Sequence, residues 1–111
     1  MENCIFCKII KGEIPSKKVY EDDQVLAFYD IQPAAPVHIL VIPKAHIGGC
    51  CEITAENSAV VAHIFEVIAK VTAELGVTDY RVVSNNGSQA GQTVFHLHFH
   101  ILGGQPLKGM C

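Results

Sequence analysis

The segment GQTVFHLHFHIL, residues 91–102, constrains the fold of this chain more than any other stretch. Positions i, i+2 and i+4 scatter around an α-helix but project from one side of a β-strand. Histidines occupy every second position in the segment, and apolar residues alternate with them: His96, Leu97, His98, Phe99, His100 and Ile101. The pattern predicts a strand whose apolar side enters the core, with the three imidazoles about 6–7 Å apart along its other side. A solvated, histidine-rich strand face is the alternative interpretation.

Length and composition indicate one folded domain, residues 1–111, with no nucleic-acid or membrane partner. Half of the residues are hydrophobic, which is enough for a core in a chain of this size. The net charge of −3 argues against a nucleic-acid-binding face. No apolar run approaches the ~20 residues of a membrane span, and the amino terminus lacks the pattern of a signal peptide. We therefore expect a cytoplasmic protein.

Helical periodicity occurs in two segments. Asn3 can cap a short helix over residues 4–11, and Thr54 can cap a long helix through Leu75. A glycine follows each helix as a stop, Gly12 and Gly76.

The remaining segments predict four further strands. They lie at residues 17–21, 24–31, 38–42 and 80–85. Short turns join consecutive strands, so we expect an α+β fold with a mostly antiparallel five-stranded sheet, one short helix and one long helix. Val61 and Phe65 widen the apolar stripe of the long helix beyond what one sheet needs, and a homodimer contact would cover the extra surface.

Cysteines suggest a second site. Five cysteines at irregular spacing fit poorly with a disulfide framework, so reduced thiols or metal ligands are favoured. Cys4 and Cys7 have the spacing of two thiolates on one Zn²⁺, which needs two more ligands. A redox dithiol and two half-buried helix cysteines are the alternatives. The other three match no ligand spacing and are expected to be ordinary thiols: Cys50, Cys51 and Cys111.

The chain resembles the histidine triad (HIT) superfamily of nucleotide hydrolases and transferases, and within it the HINT branch. The resemblance rests on the pattern His-x-His-x-His-x-x with apolar x, and it is nearly full length. Three segments carry it in this order: IFCKIIKGEIPSKKVYEDD, LAFYDIQPAAPVHILVIPKAHI and VVSNNGSQAGQTVFHLHFHILGG. The branch commonly has a carboxy-terminal tail, often with tryptophan, that reaches the partner subunit's site, and this sequence departs from that pattern because it has no tryptophan.

The resemblance implies a purine nucleoside phosphoramidate hydrolase that cleaves the P–N bond of AMP-amine substrates through a covalent nucleotidyl-histidine. His98 would be the nucleophile, and His100 would contact the phosphate and assist proton transfer. His96 and His38 would set the tautomer of His98 from behind. Histidine suits these roles because its pKa lies near 7. From its position alone, His38 can equally be a strand-start histidine bonded to a turn.

The resemblance also implies a purine nucleotide site. Its positions are Ile5, Phe6, Ile14, Phe28, Asp30, Ile31, Asn85, Gly91, Thr93, His98 and His100. The five apolar residues would sandwich the purine, Asp30 would bind the ribose hydroxyls, and Asn85, Gly91 and Thr93 would hold the α-phosphate. Spacing alone would assign the apolar residues to the core and Asp30 to a strand-end cap.

For the cysteine pair, the resemblance supplies the two missing ligands of a structural zinc site. They are His46 in the PKAH segment and His96. No organic cofactor is expected. The alternative functions are a diadenosine polyphosphate hydrolase, a slow nucleotide-binding regulator and a metal-handling protein that uses the three histidines with Cys4 and Cys7.

Overall fold

A five-stranded antiparallel sheet forms the centre of the computed structural model, which describes residues 3–109. Cys111 and the ends of the predicted domain lie outside the described residues. The strands are β1 (Lys18–Glu21), β2 (Val25–Tyr29), β3 (Val37–Pro43), β4 (Tyr80–Val83) and β5 (Phe99–Gly103). Their order in the sheet is β1-β2-β3-β5-β4, and every neighbouring pair is antiparallel. The predicted α+β fold is confirmed.

The short helix, α1 (Ile5–Ile10), begins with an unexpected cap. Cys4, rather than Asn3, is the N-cap residue, and its Sγ accepts a hydrogen bond from the Cys7 N–H at 3.4 Å. The first helical turn therefore holds the two cysteines on neighbouring positions of one surface.

The long helix, α2 (Ala59–Leu75), has Ser58 as its N-cap residue and so begins four residues later than the sequence predicts. Thr54 instead closes a turn, because its carbonyl accepts from the Ser58 N–H at 2.9 Å and its hydroxyl from the Glu56 N–H at 3.3 Å. The predicted end is correct: Gly76 adopts a left-handed conformation, with φ of 72°, directly after Leu75. No helix among residues 3–109 is long and apolar enough to cross a bilayer.

The sheet separates two apolar clusters. Residues of β3 alternate between them, so that Ile39 and Val41 face α2 while Leu40 and Ile42 face α1. The α2 side also takes in three alternate residues of the histidine segment, namely Leu97, Phe99 and Ile101. The histidines between them must therefore project to the α1 side.

The histidine strand is shorter than predicted. The β5 ladder begins at Phe99, paired with Val41, so His96 and His98 precede the strand. In the same register Leu97 would lie opposite Pro43, which has no N–H to donate. The Leu97 N–H instead donates to the Ile47 carbonyl at 2.6 Å. The alternation of sides still holds, but only His100 of the three histidines sits on the sheet ladder.

Candidate active site

His98 is a buried imidazole with one free ring nitrogen, and its side chain is 5% exposed. Its Nδ1 lies 2.7 Å from the carbonyl oxygen of His96. Since a carbonyl only accepts, Nδ1 carries the proton and Nε2 keeps a lone pair. The edge-on Phe6 ring packs against the imidazole with centroids 5.1 Å apart. The tautomer and ring orientation of His98 are therefore set by the protein itself.

His100 belongs to a hydrogen-bonded chain that begins at the backbone. The Ala34 N–H donates to His38 Nδ1 at 3.0 Å, so the proton of His38 lies on Nε2. That nitrogen is 2.9 Å from His100 Nδ1 and donates to it. The proton of His100 therefore lies on Nε2, on the ring whose centroid is 4.9 Å from that of His98. One histidine offers a lone pair and its neighbour offers an N–H.

Burial keeps this chain neutral. Burial first, and then the nearby His98 and His38 rings, lower the pKa of His100 to about 4. Burial also lowers the pKa of His38, although the Asp30 carboxylate, 3.5 Å from its Nε2, acts in the opposite direction. At pH 7 both rings are therefore uncharged hydrogen-bonding groups.

Asp30, His38 and His100 lie close enough together to hold a metal ion, but their protonation does not suit one. A metal would need the lone pair of His38 at Nε2, whereas the Ala34 N–H fixes the lone pair at Nδ1. The group is better described as a proton-ordered hydrogen-bond chain.

The roles of His38 and His96 differ from those expected. Both were predicted to set the tautomer of His98, but the His38 ring contacts His100 instead. His96 does orient His98, through its backbone carbonyl and not through its ring. The reason is that the chain bends at His96 before β5 begins, so the His96 carbonyl turns back toward His98.

The His96 ring joins the two cysteines and His46 in a second cluster. Cys4 Sγ lies 3.3 Å from His96 Nδ1, and Cys7 Sγ lies 3.3 Å from His46 Nδ1. The four ligand atoms all lie within 4.8 Å of one another, close enough to hold a metal ion. His96 Nε2 donates to the Pro43 carbonyl at 2.8 Å, which leaves the Nδ1 lone pair directed at the sulfurs.

The protonation of this cluster argues against the redox dithiol interpretation. Burial, and then the neighbouring Cys4 thiol, raise the pKa of Cys7 above its ordinary value. Burial likewise lowers the pKa of His96 to about 4, so its ring is neutral at pH 7. A reactive dithiol needs a lowered thiol pKa, whereas a neutral imidazole beside two thiols is the donor set of a metal site.

The loop before the histidines contains a short 3₁₀ helix at Ser88–Ala90 and is fixed by Gln92. This buried side chain accepts from the Gly87 N–H at 2.8 Å and donates to the carbonyls of Gly48, at 2.8 Å, and Val94, at 3.1 Å. Gly91 has φ of 95°, and a Cβ there would lie 3.6 Å from Asn85 Nδ2. The Asn85 amide thus faces the backbone of Gly91 across an open glycine position.

The residues predicted to sandwich a purine fall into two sets. Phe6 and Phe28 are buried in the α1-side cluster, and Ile14 packs against it. Ile5 and Ile31 leave 44% and 91% of their surface exposed. Asp30 is half-buried, and its Oδ1 accepts from the Gln32 N–H at 2.8 Å, so the strand-end cap expected as an alternative is present. Its Oδ2 faces His38 instead.

Two residues that sequence reasoning did not single out support the site. The Ser84 hydroxyl donates to the His98 carbonyl at 2.8 Å, where the β4–β5 ladder has ended. Gln92 is the second such residue, because its side chain holds the glycine loop through hydrogen bonds to three backbone groups. A polar residue directly after a strand and an amide inside a glycine loop are weak signals, because exposed turns contain the same residue types.

Comparison with known proteins places this arrangement in a family. The model of the HIT domain family matches residues 11–107. A HIT-like protein of Synechocystis is 52% identical over 108 residues, which cover 96% of this chain and 95% of that protein. The purine nucleoside phosphoramidase of Escherichia coli K12 is 44% identical over 111 residues, which cover 98% of this chain and 93% of that enzyme.

A solved structure shows the same architecture. It is described as a HIT family hydrolase from Clostridium thermocellum, and it matches this fold with a TM-score of 0.96 at 50% identity. The match covers 99% of this chain and 97% of the other. The chain therefore belongs to the HIT domain family, as its alternating histidines and the three longer segments predicted.

Proposed function

We propose that this protein hydrolyses the P–N bond of purine nucleoside 5′-phosphoramidates, such as AMP joined to an amine, and releases the nucleoside 5′-monophosphate. One observation carries the proposal: the His96 carbonyl holds His98 Nδ1 at 2.7 Å, which leaves Nε2 as a buried nucleophile. The E. coli relative is a purine nucleoside phosphoramidase, which supports this choice of substrate. The HINT-like sequence pattern of this chain supports it as well.

The reaction takes two steps at one phosphorus. First, the Nε2 lone pair of His98 forms a bond to phosphorus while the P–N bond breaks, and the amine nitrogen takes up a proton from water. Second, water attacks phosphorus, the bond to Nε2 breaks, and one proton returns to the solvent. His98 Nδ1 donates to the His96 carbonyl throughout, which stabilises the positive charge that the ring gains in the intermediate.

His100 stabilises the phosphoryl oxygens in this proposal. Its ring is neutral at pH 7 because burial lowers its pKa to about 4. A neutral imidazole N–H is a good hydrogen-bond donor but a weak acid, so we assign the His100 Nε2–H to a phosphoryl oxygen and not to the amine. The proposed role of His100 is therefore hydrogen bonding to the phosphoryl group, without the assistance in proton transfer that the resemblance implied.

The nucleotide would extend from the glycine loop to the exposed residues after β2. Asn85, Gly91 and Thr93 would hold the α-phosphate, supported by the close approach of the Asn85 amide to Gly91. Asp30 would bind the ribose hydroxyls. The exposed Ile31 side chain would cover the purine, which explains an isoleucine with 91% of its surface in solvent.

We further propose that the cysteine and histidine cluster holds a structural Zn²⁺. The two sulfur and two nitrogen donors match a closed tetrahedral zinc site. Bound zinc would fix the His96 ring, and with it the backbone carbonyl that orients His98. Of the three alternating histidines, only His96 belongs to this cluster in the described part of the chain, which favours an enzyme over the metal-handling alternative.

A homodimer in the cytoplasm completes the proposal. Phe65, Leu75 and Tyr80 keep 48%, 42% and 37% of their surface exposed, and β4 is an edge strand of the sheet. A second copy of the chain would cover this surface. Unpaired cysteines suit a reducing compartment.

Substitution of the nucleophile tests the function. We expect His98→Ala to lower kcat for adenosine 5′-phosphoramidates by on the order of 10⁴-fold or more, because no other group can form the intermediate. His63→Ala, which removes a half-buried histidine of α2 outside the proposed site, is the matched control and should keep wild-type turnover per folded protein.

Mass spectrometry of the wild-type protein during single turnover should detect one nucleotidyl group on His98. Faster turnover of diadenosine polyphosphates than of phosphoramidates would favour the diadenosine polyphosphate hydrolase. A trapped adduct that persists for hours would indicate the slow regulator, and full activity of His98→Ala would contradict the covalent mechanism.

A further inference from the structure

A short segment between β3 and α2, residues 48–52, lies against the glycine loop, residues 84–93, and we call it the supporting segment. It ends in a 3₁₀ helix at Cys50–Glu52. The Gly48 N–H donates to Glu52 Oε1 at 2.8 Å, and the Glu52 N–H donates to the Gly49 carbonyl at 3.0 Å. None of its residues belongs to the proposed purine, phosphate or metal sites. The supporting segment therefore has a defined conformation of its own beside the loop that is proposed to hold the phosphate.

One side chain of the glycine loop, Asn86, contacts the supporting segment closely. Its Oδ1 accepts a hydrogen bond from the Cys51 N–H at 3.0 Å. The same oxygen lies where a side chain of Gly49 would begin, because a Cβ on Gly49 would be 2.5 Å from it. Gly49 is buried, and its φ of 177° is extended backbone that any residue can adopt. A glycine is therefore required here for space and not for its conformation.

Two further hydrogen bonds join the supporting segment to the loop. Gln92 Nε2 donates to the Gly48 carbonyl at 2.8 Å, and the Cys50 thiol donates to the Ser84 hydroxyl at 3.4 Å. Ser84 in turn donates to the His98 carbonyl at 2.8 Å. The supporting segment thus contacts both ends of the glycine loop, and one of these contacts leads to the backbone of the proposed nucleophile.

Asn86 follows Asn85, which holds the α-phosphate in the proposed function. We propose that Asn86 is a positioning residue: it binds the Cys51 N–H in the space that Gly49 leaves, and so holds Asn85 and the rest of the loop where they reach the phosphoryl group. Because a peptide unit is planar and rigid, an anchor on Asn86 restricts the backbone of Asn85 directly. Asn86 itself does not contact the substrate. The inference rests on the proposed function and assigns what holds its phosphate-binding loop in place.

The composition of the loop explains why it needs such an anchor. Gly87 and Gly91 have φ of 93° and 95°, and glycine loses more conformational freedom on ordering than any other residue. A loop that became ordered only on binding would lose phosphate affinity to that entropy. Asn86 holds the loop near its start and Gln92 holds it near its end, so the phosphate donors between them are positioned in advance.

Binding of AMP and of adenosine tests this inference, because the two ligands differ only in the 5′-phosphate. Calorimetry gives both dissociation constants, and their ratio measures the contribution of the phosphate alone. We expect the wild-type protein to bind AMP about 10-fold or more tightly than adenosine, since the phosphate is charged. Asn86→Ala should reduce that ratio by about 5-fold, as the loss of one hydrogen bond implies, and should leave the affinity for adenosine unchanged. The ratio is independent of the folded fraction, which affects both ligands equally.

Gly49→Ala tests the same contact from the other side. The added methyl group would displace the Asn86 oxygen, so this variant should lose the preference for AMP as Asn86→Ala does. Once Asn86 is alanine, the remaining neighbours of that methyl group, such as Gln92 Oε1 at 3.5 Å, are at ordinary contact distance. Gly49→Ala should therefore add no further loss to Asn86→Ala, and the double variant should have the ratio of Asn86→Ala alone.

Asn57→Ala is the matched control. Asn57 is also an asparagine that holds the backbone, since it accepts from the Thr54 N–H at 2.7 Å and donates to the Glu52 carbonyl at 3.1 Å. These bonds lie in the turn before α2 and not on the glycine loop. Asn57→Ala should therefore lower the free energy of unfolding and keep the wild-type ratio of AMP to adenosine affinity.

A wild-type ratio in Asn86→Ala, or a double variant in which the two losses multiply, would overturn the inference while the proposed function stands. An equal loss of ratio in Asn57→Ala would overturn it as well. Wild-type protein that binds AMP no more tightly than adenosine would instead contradict the phosphate site of the proposed function, and the inference with it.

Discussion

Three histidines of one short segment have three different chemical states because each ring has a different hydrogen-bond partner. The His96 ring donates to the Pro43 carbonyl and directs its lone pair at sulfur. The His98 ring donates to a carbonyl through the other nitrogen and keeps its lone pair at Nε2. His100 accepts from His38 and so presents an N–H. The tautomer, and not the residue type, decides which ring nitrogen of each histidine offers a lone pair and which donates a hydrogen bond.

The sequence predicted the members of the cysteine and histidine cluster, but it could not predict these tautomers or the contact of His38 with His100. The cysteine spacing and the resemblance sufficed to group Cys4, Cys7, His46 and His96, and the structure brings their ligand atoms together. The partners that fix the rings are the Pro43 carbonyl for His96, the nearby His96 carbonyl for His98 and the His38 side chain for His100. Every residue has a backbone carbonyl, so no sequence pattern marks the one that turns toward a ring.

At the residue scale, the cluster of Cys4, Cys7, His46 and His96 gives a direct prediction. We expect Cys7→Ser to lower the zinc content from about one ion per chain to well below half, because a serine hydroxyl is a much poorer ligand for Zn²⁺ than a cysteine thiolate. The melting temperature should fall with it. Elemental analysis and thermal unfolding, with and without a chelator, measure both effects.

Cys50→Ser is the matched control for that substitution, because Cys50 is exposed and lies outside the cluster. It should keep the zinc and the wild-type melting temperature. A wild-type protein that purifies without zinc and does not take it up, or a Cys7→Ser variant with full zinc content, would contradict the proposed metal site.

At the scale of elements, side-chain alternation was predicted well and element ends were not. The apolar residues of the histidine segment face α2 as expected, because period-two alternation depends only on neighbouring residues. The strand itself begins three residues after His96, because the ladder partner opposite Leu97 is a proline. Likewise Thr54 closes a turn through its own backbone instead of capping α2. Where a helix or strand begins therefore depends on which hydrogen-bond partners the folded chain brings within reach.

One side-chain cluster ties the turn between β1 and β2 to α2. His63 of α2 lies 2.6 Å from Asp22 and 3.0 Å from Glu66, and the Tyr20 hydroxyl also donates to Asp22. The hydrogen bond to Asp22, and then that to Glu66, raise the pKa of His63 above 6.5. For Asp22, burial raises the pKa, but hydrogen bonds from His63 and from backbone N–H groups outweigh it, so the net change is downward.

The interaction of His63 with Asp22 and Glu66 should stabilise the protein in a defined pH range. Because the pKa of His63 is raised on folding, its contribution is full below pH 6.5 and is lost as the pH rises through the folded pKa. We therefore expect His63→Ala to lower the free energy of unfolding clearly at pH 6 and hardly at pH 9. Urea unfolding at the two pH values measures the difference.

A pair on the same helix serves as control. Lys70 and Glu74 lie 3.5 Å apart on the exposed side of α2, and the pair contains no imidazole. Lys70→Ala should therefore have the same small effect at both pH values. If His63→Ala destabilised the protein equally at pH 6 and pH 9, the His63 contribution would be packing and not charge.

At the scale of the whole molecule, the fold encloses a group of neutral imidazoles on one side of its sheet. The pKa of His96 and the pKa of His100 are each lowered to about 4, chiefly by burial, and that of His38 is also lowered. In the unfolded chain these histidines titrate near 6.5. Between pH 6.5 and 4 the unfolded chain therefore binds protons that the folded protein does not.

The protein should therefore lose stability on acidification. The contribution of His63 has the opposite dependence, because it is lost as the pH rises. A pKa lowered from 6.5 to about 4 for His100 corresponds to roughly 3 kcal/mol at ~1.4 kcal/mol per pKa unit. That stability is full above pH 6.5 and is lost progressively down to about pH 4. With several such histidines, the free energy of unfolding of the metal-free protein should fall steeply between pH 7 and pH 4.5.

Replacing one of these imidazoles by a side chain that does not titrate should flatten this dependence. We expect His100→Gln to be less stable than wild type at pH 7, since Gln fits the His38 contact imperfectly, yet to lose less stability on acidification, because it removes one proton uptake from the unfolded chain. Urea unfolding at pH 7, 6 and 5 in the presence of a chelator gives the slopes, and the chelator separates the effect from zinc release at His96. Parallel curves for the two proteins would show that folding does not change the proton affinity of His100, and the conclusion that burial lowers its pKa would then be wrong.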